Sequence, residues 1–277
     1  MEHPHETGKK ASDAKSVSKT LAILSTFDER TPMQRTSDIA ARLGMNISTV
    51  SRHLNTLLDW GFLRRDDETG CYYPGTQIIS LAGAALQDSD VYRYSFPELQ
   101  LLSFRYGVHS HMSIQDDTEI MHLISCCCEH TMDLFVPMGH RQPMYCSAMG
   151  RIMLAYMPEA KAEDILKRSN REKRTPDTKV GVDEIMQELK KERQQGICLL
   201  VNELAYGKGS VAAPILDRDR NPVAAISVST SANALSQPQR EAELKKAIKI
   251  TASRISGRLS RNAWVLASAA ARPTIRT

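Results

Sequence analysis

The chain has 277 residues, 42% of them hydrophobic, more than one small domain needs and enough for a second domain with its own core. No run approaches the ~20 apolar residues of a membrane span, and the polar N-terminus does not look like a signal peptide, so a soluble cytoplasmic protein is expected; its six cysteines then read as buried thiols or ligands, not a disulfide framework. The formal charge of +4 does not by itself mark a nucleic-acid binder, and basic and acidic residues balance over the first 75 positions.

In chain order, residues 1–15 carry Lys9, Lys10 and Lys15 with Pro4 and Gly8 and are expected to be a flexible basic tail. A helix is predicted over 16–27 with Val17, Leu21, Leu24 and Phe27 inward. A second helix, Ser37 to Leu43, is capped by Thr36 or Ser37 and packs Ile39, Ala40 and Leu43; Gly44 ends it, because glycine takes a left-handed conformation without steric cost. After the short turn Gly44-Met45-Asn46, Ile47, Val50, Leu54 and Leu57 form the inward stripe of a third helix. Its other face shows Ser48, Thr49, Ser51, Arg52 and Asn55, short hydrogen bonders and one guanidinium, the types that reach base edges and phosphates in a major groove. Thr36 and Asn46, at the helix starts, join this candidate DNA-contact set. Residues 62–65 and 71–73 flank an acidic loop ending in Gly70, the pattern of a hairpin wing that places Arg64 and Arg65 beside phosphates. The winged helix-turn-helix domain so defined spans 16–75.

A linker helix follows in 76–90; Ile78, Ile79, Leu81, Ala82, Ala85 and Leu86 give it more than one apolar side, suited to pairing with a second copy. Over 91–260 the pattern is mixed. A helix over 91–106 is broken or begun near Pro97; strands are expected at 110–115, 120–125 and 134–137; helices at 150–156, 159–168 and 182–195; strands at 197–201, 210–216 and 223–229; and a closing helix runs from Pro238 to about Ser260. This is an α+β sandwich with one main sheet. Residues 261–277 are expected to be a disordered tail.

These signals occur in an order that resembles the bacterial IclR family of transcriptional regulators from Ser16 to about Arg258. The residues that carry the likeness are Leu43-Gly44 with Ser48-Thr49-Val50, Gly61-Phe62-Leu63, Ala148-Met149-Gly150-Arg151 leading into Met153-Leu154-Ala155, Thr175-Pro176-Asp177-Thr178, Ala212-Ala213-Pro214-Ile215 and Ala224 to Ser229. The resemblance implies an N-terminal winged helix-turn-helix domain, a linker helix and a C-terminal GAF-like α/β effector-binding domain. It further implies a homodimer or tetramer on a double-stranded DNA operator and a small-molecule effector; no cofactor, resident metal or membrane partner is expected.

A small anion suits free amides at a helix start, here Met149 and Gly150, and hydroxyls on strands, here Ser210 with Ser227 and Ser229 two apart on one face. Met112, Leu134 and Met138 are the expected apolar wall. Relative to the family pattern, Ser210 stands for a frequent cysteine, Arg151 for the usual lysine, and Leu199-Leu200-Val201-Asn202 for an acidic stretch, which favours an aromatic or aliphatic acid over a polar dicarboxylate. A metal- or redox-responsive alternative rests on Cys126, Cys128 and His130, which share a strand face, whereas three consecutive cysteines cannot all meet one ion. His109 and His111 read as ordinary strand positions. An enzyme is disfavoured, because the chain lacks Gly-x-Ser-x-Gly, a phosphate-binding glycine loop and His-Glu-x-x-His.

Overall fold

The computed structural model describes residues 6–127 and 136–259. The chain divides between Ala85 and Leu86 into two compact units.

The first unit holds α1 (Glu6–Leu24), α2 (Thr36–Leu43), α3 (Ile47–Asp59), β1 (Leu63–Arg65) and β2 (Tyr72–Pro74). Ile23, Ile39, Ala40, Val50, Leu54, Leu57, Leu63 and Tyr72 form its core. Gly44 ends α2 at φ 60°, and the Met45 N–H closes on the Ala40 carbonyl at 3.0 Å, which sets the sharp turn into α3. The strands pair antiparallel, and Gln34 adds a bridge to Tyr72.

Several local expectations need correction. The expected tail is helical from Glu6, since the lysines and alanines of 9–15 are good helix formers and no proline falls between Pro4 and Pro32. That helix turns Ala22 and Ile23 inward and leaves Val17 and Leu21 outside, a rotation held by the 2.9 Å hydrogen bond between Thr20 Oγ1 and His53 Nδ1. Ile47 is likewise exposed rather than buried. Thr36 and Ser37 do not cap α2, which already includes them; the cap residue is Arg35, whose N–H is taken by the Asp38 carboxylate at 3.3 Å.

The helix α4 (Thr76–Gln87) buries only Leu86 and exposes Ile79 and Leu81. In the second unit α5 (Asp90–Tyr106) runs unbroken through Pro97, because Ser89 caps it and one missing donor does not end a helix of this length. The six-stranded sheet comprises β3 (His109–Asp116), β4 (Glu119–Cys126), β5 (Arg141–Pro143), β6 (Cys198–Val201), β7 (Lys208–Leu216) and β8 (Pro222–Ser231), in the order β5-β4-β3-β8-β7-β6 with antiparallel neighbours throughout. β5 was not expected; of the strand expected at 134–137, residues 134 and 135 lie outside the described residues and 136 and 137 are irregular.

Strand alternation gives the sheet two apolar faces. Met112, Ile124, Ile226, Val228 and Val211 face the core that includes α5 and α10 (Pro238–Arg258). Ile120, Ala212, Ala225, Cys198 and Leu200 face the core that includes α6 (Ala148–Tyr156), α7 (Glu159–Arg168) and α8 (Val182–Gln195). A short helix, α9 (Ala232–Leu235), joins β8 to α10. Among the described residues no helix is long and apolar enough to cross a membrane.

Candidate functional site

Two surfaces carry chemistry, one in each unit. In the first, α3 begins at Asn46, whose Oδ1 accepts from the Ser48 N–H at 2.9 Å and the Ser48 hydroxyl at 2.8 Å. Asn46 therefore fixes the helix start and is itself exposed. Ser48, Arg52 and Asn55 are exposed along one stripe, while Thr49 and Ser51 are half-buried beside it. Ile47, missed as a candidate, adds an exposed apolar side chain to this polar end, a type that meets the thymine methyl in a major groove. In the wing, Arg64 lies 4.5 Å over the Tyr73 ring and Arg65 lies 5.6 Å over Tyr72, so both guanidinium groups are held on the strands and stay exposed. The wing carboxylate of Asp66 turns back to accept the Glu68 and Thr69 amides, and the Thr69 N–H holds it below the usual carboxylate range. Arg42 is committed elsewhere, to the Thr26 carbonyl at 2.8 Å and to Asp28 at 3.5 Å.

In the second unit a cavity of about 260 Å³ opens between the sheet and the amino end of α6. Three of the expected serines meet there: Ser210 and Ser229 share a hydrogen bond of 2.8 Å, and Ser227 sits one step along the same face of β8. Ala148 and Met149, in the first turn of α6, line the opposite side, where N–H groups have no intrahelical partner. Leu200, Cys146 and Val136 supply apolar wall.

Three of the expected effector residues fall elsewhere, and a fourth is not among the described residues. Met112 lies on the other face of β3, because it alternates with His111, and is packed in the α5/α10 core. Met138 is 53% exposed in a turn and does not line the cavity. Leu134 lies outside the described residues. Gly150 does not line the cavity either: Ser147 takes its N–H, and a side chain there would stand 2.3 Å from Met144 Cα, so the glycine serves the close approach of backbone to backbone.

The residues that sequence reasoning missed are the two histidines, Glu203 and Lys208. His111 pairs with Ser227 across the sheet, its ring stands edge-on to His122 at 5.6 Å, and its Nδ1 is 3.1 Å from Ser125 Oγ. Burial, reinforced by the neighbouring His122 and His109, pushes its pKa down to about 3, so it meets a ligand as neutral imidazole. Glu203 corrects the expectation of an apolar β6 side: Leu200 lines it, but the chain then turns through Asn202 at φ 61° and brings a carboxylate to the cavity. The Thr175 hydroxyl donates to the Asn202 carbonyl and the Thr178 hydroxyl to the Glu203 carbonyl, each at 2.6 Å, which explains the Thr-Pro-Asp-Thr segment.

Behind Glu203 lies a buried charge cluster. Arg151, 1% exposed, donates to Glu192 Oε1 at 2.8 Å and stands 3.8 Å from Glu203 Oε2, and the Cys198 thiol donates to Glu192 Oε1 at 3.3 Å. Burial raises the pKa of both carboxyls and outweighs the nearby Arg151 charge, which pulls them down. Among the described residues no group of three or more His, Cys, Asp or Glu side chains could hold a metal ion. Cys126 packs toward the α5/α10 core, its thiol pKa raised by burial, and Cys128 and His130 lie outside the described residues. A larger cleft of about 430 Å³ between α10 and the end of β7 has its cations, Arg220 and Lys249, exposed to solvent, and so lacks the convergent buried donors of the smaller cavity.

Residues 16–67 match the family model described as the IclR helix-turn-helix domain, and residues 83–257 match that of the bacterial transcriptional regulator IclR C-terminal region. The chain is 28% identical over 227 residues to the Pca regulon regulatory protein of Pseudomonas putida, covering 82% of this chain and 77% of that one. Among solved structures, a transcriptional regulator of Rhodococcus sp. RHA1 superposes with a TM-score of 0.79 at 27% identity, covering 88% of this chain and 97% of that one. An IclR homologue of Microbacterium hydrocarbonoxydans complexed with 4-hydroxybenzoate shares the fold, with a TM-score of 0.76 at 19% identity, covering 87% of this chain and 98% of that one. The families matched are transcriptional regulators, not enzymes.

Proposed function

The chain belongs to the IclR family of DNA-binding bacterial transcriptional regulators, and from that premise we propose that a small organic acid in the cavity of its second unit controls how it holds its operator. The observation that carries this reading is the cavity itself, where the Ser210, Ser227 and Ser229 hydroxyls, a neutral imidazole and the amino end of α6 converge on a space sized for a single-ring or short aliphatic acid. The 4-hydroxybenzoate held by a protein of the same fold supports an aromatic acid.

On the DNA side, Ser48, Thr49, Ser51, Arg52 and Asn55 enter the major groove with Thr36 and Asn46 at the helix starts, and Arg64 and Arg65 reach phosphates from the wing. Ile47 contacts a thymine methyl. The functional regions are the DNA-binding domain over 16–75, the linker helix over 76–90 and the effector domain over 91–260. Two copies pair, as a dimer or a dimer of dimers, through the apolar face of α4 that exposes Ile79 and Leu81. The effector then biases one spacing of the two recognition helices, and by reciprocity DNA changes effector affinity by the same factor.

The test is fluorescence anisotropy on the DNA upstream of the protein's own gene, at two salt concentrations, with and without a panel of aromatic and aliphatic acids. Salt-sensitive, sequence-selective binding that one acid shifts is the expected result. Selective binding that no acid moves, together with no acid bound to the free protein, sinks the effector reading.

A further inference from the structure

We infer that Glu203 selects effectors that carry a hydrogen-bond donor, so that the ligand of the cavity is a hydroxylated or amino-substituted organic acid rather than a plain one. This rests on the reading of the cavity as the effector site. Glu203 is held in place on two sides. Its carbonyl accepts from Thr178, and the Asn202 carbonyl before it accepts from Thr175, each at 2.6 Å. Its side chain is anchored through Oε2 alone, which accepts the Lys179 N–H at 3.4 Å and faces Arg151 at 3.8 Å.

The residue is 7% exposed and borders the cavity, yet among the described residues no hydrogen bond reaches Oε1. A donor carried by a ligand in the adjoining cavity would supply the hydrogen bond that the described residues do not give this oxygen. The charge count points the same way. Arg151 is the one guanidinium in the cluster and is engaged more closely by Glu192, at 2.8 Å, than by Glu203. A ligand carboxylate placed directly against the Glu203 carboxylate would meet like charge, whereas a hydroxyl or amine proton donates to it.

The strand order separates this group from the imidazoles. Glu203 follows β6 at one edge of the sheet, while His111 and His122 stand on β3 and β4, with Ser227, Ser229 and Ser210 on the two strands between. Strand spacing of about 4.8 Å then puts roughly 10–15 Å between the β3 and β6 ends, enough for a ring or a four-carbon chain carrying a carboxylate at one end and a donor at the other.

The experiment is calorimetric titration of the full-length protein with matched pairs: 4-hydroxybenzoate against benzoate, 4-aminobenzoate against benzoate, and 4-hydroxybutyrate against butyrate. A hydrogen bond to a charged acceptor predicts that at least one pair differs by roughly 10- to 100-fold in favour of the donor-bearing acid. In Glu203→Gln the preference for the donor-bearing acid is expected to shrink to within about threefold, since the charge of the acceptor is removed. Equal binding within every pair by the unsubstituted protein, a result that needs no variant to fold, overturns the role of Glu203 and leaves the cavity reading standing. A preference that persists in a folded Glu203→Gln protein overturns it as well. Binding of none of the acids overturns both.

Discussion

The recognition face of α3 and the cavity beside α6 are both polar, but their polar groups are placed in opposite ways. On α3 the side chains stand in water, and apart from the Asn46 cap and the Thr56 hydroxyl on the Arg52 carbonyl they take few partners from the protein. In the cavity the polar groups are buried or half-buried and several are engaged within the protein: Ser210 with Ser229, His111 with Ser125, Glu203 with the Lys179 amide and Arg151. An exposed face keeps its hydrogen-bonding capacity for a large, charged partner that displaces water. A largely buried site meets most of its hydrogen-bonding demand within the fold, and so couples ligand contacts to stability.

The contrast predicts where stability and binding separate. The largest effect is expected at Arg151. Replacing it with Met strands Glu192 and Glu203 without their cation and should cost about 3–5 kcal/mol in urea unfolding of the second unit. A loss under about 1 kcal/mol would show that the two carboxyls take up protons and that the cluster is not held by charge.

Next is Arg52→Ala. Operator affinity should fall roughly 10- to 100-fold by anisotropy, with the salt slope reduced by about one if the contact is to phosphate, while the unfolding midpoint stays unchanged because the side chain is exposed. Unaltered operator binding would remove α3 from the DNA interface.

Acid separates the two units in a third way. His111 is depressed from 6.5 to about 3, so its contribution to stability is fully present above pH 6.5 and is lost as the pH falls toward 3. At roughly 1.4 kcal/mol per pH unit, going from pH 6.5 to pH 5 removes about 2 kcal/mol. Glu192 and Glu203, raised mainly by burial, act with the opposite sign, favouring the fold when protonated. The measurement is therefore the difference in pH slope between the protein and His111→Asn, which should be flatter; equal slopes would mean that the ring is not held neutral.

The smallest effect tests whether Asn46 serves the helix or the DNA. Asn46→Ala should cost about 1 kcal/mol as the loss of an N-cap, whereas Asn46→Asp keeps the acceptor for Ser48 and should leave stability intact while its charge weakens operator binding. If Asp and Ala variants lose the same stability, the cap is not what Asn46 provides.

Legibility followed the same divide. Val50, Leu54 and Leu57 identified α3, and Gly44 its preceding turn, from spacing within a few residues. The same spacing placed Val17, Leu21 and Ile47 inward when they are exposed, because the rotation of α1 depends on the contact between Thr20 and His53, which lie 33 residues apart in sequence. In the cavity Ser227 and Ser229 were found through their match to the family's pocket region, with strand alternation giving them a shared face. His111 joined them only through the register that sets it opposite Ser227. Met112 was misplaced because its neighbours in sequence do not reveal which face of the sheet is covered by α6.

By itself the sequence determined the family, the helix-turn-helix and its polar face, the α+β class and most of the helices and strands, since these rest on periodicity, turn residues and ordered motifs that act over short range. Only the tertiary structure decided which polar groups share a cavity. Arg151, Glu192 and Glu203 meet from three separate segments, and the Thr175 and Thr178 hydroxyls that hold the Glu203 turn come from a fourth. A buried charge is tolerable only where a partner from elsewhere in the chain neutralises it, and which partner that is depends on packing that no local pattern encodes.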